Sequence, residues 1–484
     1  MKSKIGFILL LLCCWGQERA FAQVDASDWT PPLELFETTG RASEPELVVD
    51  AAGVVHVFWA YGSPEDEADG DGQALYYTRR QQGVWSEPVD VLVSPGGRGA
   101  RMPAVALDHH NYLHVAWSGG DTIYYSRAYA PAAIAPQSWS DPIAFTLYVA
   151  AFEPAIVAAG NHIYLLWTEA SNGLVFARST NGGQHWSAPQ TIFVAPGAQE
   201  LARWGRLAVD NAGRLHVAVS LARSNDTAAA RRDPIYIYYL RSQDGGDAWT
   251  DPWLITPEPD FGEVTVVTWG VNDVHLLWNG RAGTHGRYHR WSVDGGQSWS
   301  EVETIIPPGP PLGLGGLTGF PAALLDARGD LHLVSTADPQ NYYMRWRNGV
   351  WTDPVVISAG VDGLGVTGEA VNMEMPALAL GLGNELHAVF HDGQERIWYT
   401  SRLLPDLPAA PVQPLPTLTP TAAVEPPALL PASQLPTATP MPAFPHDAPP
   451  PTSPYLALLL GLFSATFLLT LIIFIRAQFL TSTH

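Results

Sequence analysis

Between Trp29 and Arg402 the chain repeats one module of roughly 50 to 60 residues seven times. A repeat of that period restricts the fold to stacked or radially arranged units that bury a shared core between copies. Each copy carries the same order of short segments. A first strand such as Pro103-Ala-Val-Ala-Leu-Asp108 or Pro321-Ala-Ala-Leu-Leu-Asp326 turns into a second, such as Leu113-His-Val-Ala-Trp117 or Val274-His-Leu-Leu-Trp278. A third holds a tyrosine pair and then an arginine, as in Leu75-Tyr-Tyr-Thr-Arg79, Ile123-Tyr-Tyr-Ser-Arg127 and Ile237-Tyr-Tyr-Leu-Arg241. A Trp-Ser/Thr-x-Pro element then opens a fourth, as at Trp85 and Trp351. Short, evenly spaced strands cut by Gly, Asn and Pro, with no helical period, predict an all-β chain of four-stranded antiparallel blades.

The second strands fall around His56, His114, Tyr164, His216, His275, His332 and His387, so seven blades are expected. The seventh copy stops after its third strand, Ile397-Trp-Tyr-Thr-Ser-Arg402, while an unmatched Trp29 stands ahead of the first copy. The economical solution uses Leu33 to Glu37 as the fourth strand of the last blade, which removes the free edges of an open sheet. The expected fold is a seven-bladed β-propeller of four-stranded antiparallel blades, its ring closed by an N-terminal strand, followed by a C-terminal transmembrane helix.

The ends of the chain carry the address. Lys2 and Lys4 precede an apolar run, and Ala20-Phe21-Ala22 offers a small-x-small cleavage site, so residues 1–22 read as a signal peptide. Cys13 and Cys14 both lie in that leader, so residues 23–403, the propeller, hold together without disulfides. Residues 404–454, rich in Pro, Ala and Thr, read as an extended stalk. Residues 455–475 are uncharged and apolar, the length of one membrane-spanning helix. Arg476 follows directly, which leaves the tail 476–484 in the cytoplasm and the propeller outside, a single-pass type I arrangement in the cell membrane.

The formal net charge of −21, with no long acidic run, argues against nucleic acid or an anionic lipid surface as partner. No cofactor motif appears. The six aligned histidines come from six different blades, too far apart to share coordination at about 2 Å, so no metal is expected from them. The acidic loop from Gly62 to Gly72 is where a Ca²⁺ ion would be sought first, although charge-rich loops of this kind ordinarily serve as solvated surface.

Three copies contain a turn of the form S-x-[DN]-G-G-x-x-W: Ser179 to Trp186 around Asn181, Ser242 to Trp249 around Asp244, and Ser292 to Trp299 around Asp294. These turns resemble the Asp-box, or BNR repeat, of the sialidase-like β-propellers. The physical reading is structural: the side-chain oxygen accepts bonds from turn N–H groups, the glycines take positive φ, and Trp186, Trp249 and Trp299 bury their rings between sheets. The resemblance implies that such turns sit on the rim opposite the catalytic face. It further implies an arginine triad, an Asp acid/base and a Tyr nucleophile activated by a Glu. Arg101-Met-Pro103 is similar to the family's first arginine motif, with Ala100 where an aromatic stands there. Asp121 would then match the acid/base, Glu200 and Arg206 the Glu and second arginine, and Tyr342 or Tyr343 the nucleophile. The pattern departs further: no third arginine is found, the tyrosine is only the module's usual pair, and sialidases have six blades.

Function in a propeller gathers where the innermost strands begin, because loops from all blades converge on the axis there. At those positions the copies stop agreeing: Ser43-Glu44, Arg101-Met102, Phe152-Glu153, Arg203-Trp204, Phe261-Gly-Glu263, Gly319-Phe320 and Glu374-Met375. Carboxylates, arginines and flat aromatics together suit a polar, carbohydrate-like ligand, whereas the structural alternative is a solvated tunnel mouth with internal ion pairs. Glu44, Arg101, Glu153, Arg203, Trp204, Phe320 and Glu374 are the candidate ligand-binding residues. The favoured reading is a membrane-anchored extracellular propeller that binds glycans or a surface partner without catalysis. The alternatives are an exo-sialidase or related retaining glycosidase, and a structural surface protein.

Overall fold

The computed structural model describes residues 28–36, 40–62, 74–145, 150–169, 173–197, 200–223, 234–256, 261–280, 286–306, 320–337, 340–361, 376–392 and 396–413. All belong to a compact unit spanning Met1–Pro416. The signal segment 1–22, most of the acidic loop, the stalk beyond 413, the apolar run 455–475 and the tail lie outside the described residues. Among the described residues no helix is long and apolar enough to cross a membrane.

Seven antiparallel sheets form the blades, with innermost strands Arg41–Val49, Ala100–Leu107, Ala151–Ala159, Glu200–Val209, Phe261–Trp269, Ala322–Leu325 and Ala377–Gly381. We number the blades one to seven in that order. In blades one and six the fourth strand is broken at the Trp-Ser/Thr-x-Pro element, so both halves pair with the third strand. The closure is as expected. Leu33–Phe36 pairs with Ile397–Leu403 as the outer strand of blade seven, with Leu33 opposite Tyr399, and Trp29 adds a bridge to Arg402.

The core lies between blades rather than within them. The second strand of blade one, Val55–Gly62, is apolar on both faces because each face meets a different neighbour: Val55, Val57 and Trp59 pack towards blade seven, Phe58 and Ala60 towards blade two. The same division recurs around the ring, so each second strand reads as a nearly continuous apolar run. Trp59, Trp117, Trp167 and Trp278 are fully buried at equivalent positions. Each large buried side chain contributes about 1.5–3 kcal/mol.

Two polar devices repeat within this core. In blades one, two, four and six an aspartate at the end of the first strand, the second-strand histidine and a third-strand tyrosine form a buried chain. His114 Nε2 lies 3.2 Å from Asp108 Oδ2 and its Nδ1 2.7 Å from the Tyr125 hydroxyl. Asp50–His56–Tyr77, Asp210–His216–Tyr239 and Asp326–His332–Tyr343 repeat that geometry. Burial holds the imidazoles of His56, His114 and His216 below the ordinary range, His216 at about 4, so they stay neutral at physiological pH. The aligned histidines therefore work within blades. Blade five replaces the chain with a stacked pair, His275 and His289, 2.9 Å apart.

The second device joins blades. In the Gly-Gly turn of blade three, Ser179 Oγ accepts the Gly183 N–H at 2.9 Å and Asn181 Oδ1 accepts the His185 N–H at 2.9 Å. Trp186 packs edge-on against Tyr125 of blade two at 4.8 Å. Trp249 meets Phe176 and Trp299 meets Tyr239 in the same way. A third-strand arginine completes the latch: Arg178 donates to the Gly245 carbonyl and Arg241 to the Gly295 carbonyl, both at 2.8 Å. Strand pairing puts these turns beside the connections between first and second strands, at the end of the ring opposite the starts of the inner strands.

Beyond the last strand, residues 404–413 run as a strap over that opposite end. Leu404 and Leu407 are buried, and Leu404, Ala410 and Gln413 donate backbone bonds to Asn384, Leu382 and Ala51, in turns of blades seven and one. Asp406 sits among Arg328, Arg345 and Arg347 of blade six, with Arg347 at 2.6 Å.

Candidate functional site

In blades one to five the inner strands begin earlier than the sequence suggests, and the non-repeating residues lie inside them, whereas in blade six Phe320 precedes the strand. Proline cannot donate to a sheet ladder, and Pro45, Pro103 and Pro154 mark bulges rather than strand starts. The register slips between Ser43 and Glu46, Arg101 and Ala104, Phe152 and Ala155, Arg203 and Arg206, and Gly262 and Val264. At each slip one non-glycine residue takes positive φ: Glu44 at 56°, Met102 at 51°, Glu153 at 59°, Trp204 at 49° and Glu263 at 22°. A side chain held in that region costs about 1–3 kcal/mol. Four of the five residues held this way, Glu44, Met102, Glu153 and Trp204, line one cavity.

Blades are then joined in pairs across the axis-facing edge. The Glu44 carboxylate of blade one accepts the Met102 N–H of blade two. The Glu153 carboxylate of blade three accepts the Trp204 N–H of blade four at 2.7 Å, together with both Nε and a terminal nitrogen of Arg203 and the Thr168 hydroxyl. Arg203 lies between the Phe152 and Trp204 rings, 4.7 and 5.0 Å from their centres. Arg206 stacks on Phe320 at 4.1 Å, and Phe320 meets Trp204 edge-on.

Glu44, Glu46, Met102, Pro103, Glu153, Pro154, Trp204 and Arg206 line a cavity with about 380 Å³ of empty space, its open mouth included. Glu44 and Glu46 keep some contact with water there, yet protein crowds both carboxyls and that dry environment dominates. Burial pushes Glu46 up to about 7, with Arg206 pulling weakly the other way. Burial also raises Glu44; the Met102 N–H and Arg101 oppose the rise, and Glu153 adds to it. Burial lowers Arg206 against the pull of Glu46, Glu153 and Glu263.

The cavity thus brings together Glu44, Glu153, Trp204 and Arg206, with Arg203 and Phe320 in contact behind them and Arg101 exposed nearby on the inner strand of blade two. Glu374 and Gly319 lie outside the described residues. Asp121 sits exposed in the turn after the second strand of blade two, at the same end of that blade as Arg101. Glu200 begins the inner strand of blade four, where it accepts the Gly197 N–H at 3.0 Å. Tyr342 is on the third strand of blade six, between Ser335 and Val356, rather than on an axial strand. Of the five residues matched to a sialidase, only Arg206 lines the cavity. Glu46 is a lining residue that the sequence reading passed over, although the Glu44-Pro45-Glu46 spacing was its signal: a bulge at Glu44 leaves both carboxylates on the axis.

Fold and site together define a seven-bladed β-propeller with a charged axial cavity. No protein-family model matches the chain, and no curated protein does. Solved structures of propeller fold are similar in shape, among them sialidases and polysaccharide lyases. An ulvan lyase bound to -[GlcA(1-4)Rha3S]- is 12% identical with a TM-score of 0.50, over 77% of this chain and 96% of that one. A protein of unknown function from Dyadobacter fermentans is 14% identical with a TM-score of 0.49, over 78% and 99%. A Hadza microbial sialidase is 14% identical with a TM-score of 0.43, over 76% and 66%. At such identity the likeness describes the scaffold alone.

Proposed function

We propose that this chain is a membrane-tethered extracellular propeller whose axial cavity binds a carbohydrate without catalysis. The observation that carries the reading is the ring of left-handed bulges that commits Glu44, Met102, Glu153 and Trp204 to the axis. Carboxylates there accept hydroxyl hydrogens, Arg206 donates to ring or hydroxyl oxygens, and Trp204 forms part of an apolar wall, the three contacts a sugar ring needs. Residues 1–22 direct export, and residues 455–475 with Arg476 supply the tether. The three Gly-Gly turns, read as Asp-boxes, belong to the scaffold of this assignment.

The full chain in detergent micelles, applied to a glycan array, is expected to retain a defined subset of glycans and to lose them on Trp204→Ala. A companion assay with a fluorogenic sialoside is expected to give no turnover. Turnover abolished by Arg101→Ala would overturn the binding-only reading in favour of the sialidase alternative. An array with no retained glycan would overturn the carbohydrate reading itself.

A further inference from the structure

Among the described residues the charges around the axial cavity do not balance. Among the described residues four carboxylates face it or lie within electrostatic reach, Glu44, Glu46, Glu153 and Glu263, against three guanidinium groups, Arg101, Arg203 and Arg206. Arg203 is committed to Glu153 in a close two-point contact. Arg101 attracts Glu44 from the exposed side of the mouth. Glu263 accepts the Asn279 side-chain N–H and lies among the groups around Arg206. Glu46 is left over. It lines the cavity, and among the described residues it has no hydrogen-bond partner and no ion pair at contact distance.

A carboxylate crowded by protein and lacking a partner is unfavourable even with some contact with water, and taking a proton or receiving a cation relieves it. Arg206 does not supply that cation at contact, because its guanidinium is stacked on Phe320 and, among the described residues, its one hydrogen bond, at 3.3 Å, goes to the Gly205 carbonyl. An anionic ligand would meet Glu44, Glu46 and Glu153 with Arg206 the only cation among the lining residues, so sugar acids are disfavoured. Resting on the reading of the cavity as a sugar site, we infer that its ligand is an amino sugar carrying a free ammonium group, and that Glu46 receives that group. Trp204 packs against the ring of the bound sugar, and the second oxygen of Glu44 accepts from a neighbouring hydroxyl.

Calorimetric titration of the full chain in detergent micelles tests this with four probes: a β-1,4-linked glucosamine tetramer, its fully N-acetylated counterpart, sialyllactose, and tetralysine. The last controls for attraction to the net charge of −21. The glucosamine tetramer is expected to bind at least about tenfold tighter than the other three, and Glu46→Gln to weaken it by about tenfold or more, the scale of a close desolvated charge pair. Arg206→Gln, which removes the competing cation while keeping a side-chain N–H to donate to the sugar, is expected to tighten it, and this second variant keeps the test decisive if Glu46→Gln misfolds. Equal or tighter binding of the acetylated tetramer, sialyllactose or tetralysine overturns the inference, as does unchanged affinity in Glu46→Gln. Binding of the acetylated or sialylated sugar alone leaves the carbohydrate reading standing while rejecting the ammonium. No response to any sugar rejects both.

Discussion

Gly182 and Gly183 offer an internally controlled test of how neighbouring blades are latched. Both take positive φ, 65° and 79°, so alanine at either carries a similar backbone penalty, about 1–2 kcal/mol. They differ in what a methyl group would meet. At Gly182 the nearest atom is 3.5 Å away, on the flexible Arg127 side chain. At Gly183 the new carbon would stand 1.8 Å from the Tyr125 hydroxyl oxygen, with His114 Nδ1 at 3.3 Å. Tyr125 would have to leave, which breaks its 2.7 Å bond to His114 and strips Trp186 of its packing partner. A buried hydrogen bond lost with its partner left unsatisfied costs about 1–3 kcal/mol, and the disturbed aromatic contact about 0.5–1.5 kcal/mol more. Gly183→Ala is therefore expected to cost about 3–6 kcal/mol in all, against about 1–2 kcal/mol for Gly182→Ala. Urea unfolding followed by tryptophan fluorescence reads both, because buried tryptophans are spread through the blades and change environment when the ring unfolds. Equal unfolding midpoints for the two variants would refute the claim that contact with Tyr125, rather than turn conformation, demands the second glycine.

Two further outcomes follow from charges described above. Glu46 is raised from an ordinary 4.5 to about 7 in the folded chain, so the contribution of its protonated form is complete below about pH 4.5 and is lost as pH rises through 7. Glu46→Gln is accordingly expected to flatten the fall in stability between pH 5 and 8 by about 1–3 kcal/mol, measured by urea unfolding across that range; an unchanged slope would refute the burial argument. Asp406→Asn weakens the strap's grip on three arginines whose own exposure leaves them partly screened, so a loss of only about 1 kcal/mol is expected, shrinking in high salt. No measurable loss would show that the strap is held by Leu404 and Leu407 instead.

The scaffold was readable because its repeat is written in residue types with strong local meaning. Leu33 to Glu37 could be placed as the closing strand by counting alone, and the structure puts Leu33–Phe36 there. The positions of Asp108, His114 and Tyr125 also repeat visibly, yet nothing linear shows that the three touch, since they sit on three successive strands and meet only once the sheet is pleated. The axial site was half legible. Variation among copies pointed to Glu44, Glu153 and Trp204, but treating each X-Pro step as the start of a strand hid the bulge, and with it the axial placement of Glu46. The pairing of Glu153 with Arg203, some fifty residues apart, depends on which blade follows which around the axis and left no mark in the spacing.

The strap over residues 404–413 alters how the ring bears load. Without it, tension on the C-terminal side would pull Ile397–Leu403 away from Leu33–Phe36 and open the closing sheet one backbone bond at a time. Because the chain first crosses turns of blades six, seven and one, the same tension meets Asp406, the two buried leucines and three backbone bonds before it reaches that sheet. Mechanical resistance to forced opening is a matter of rate rather than equilibrium stability, and here it is set by residues outside every blade.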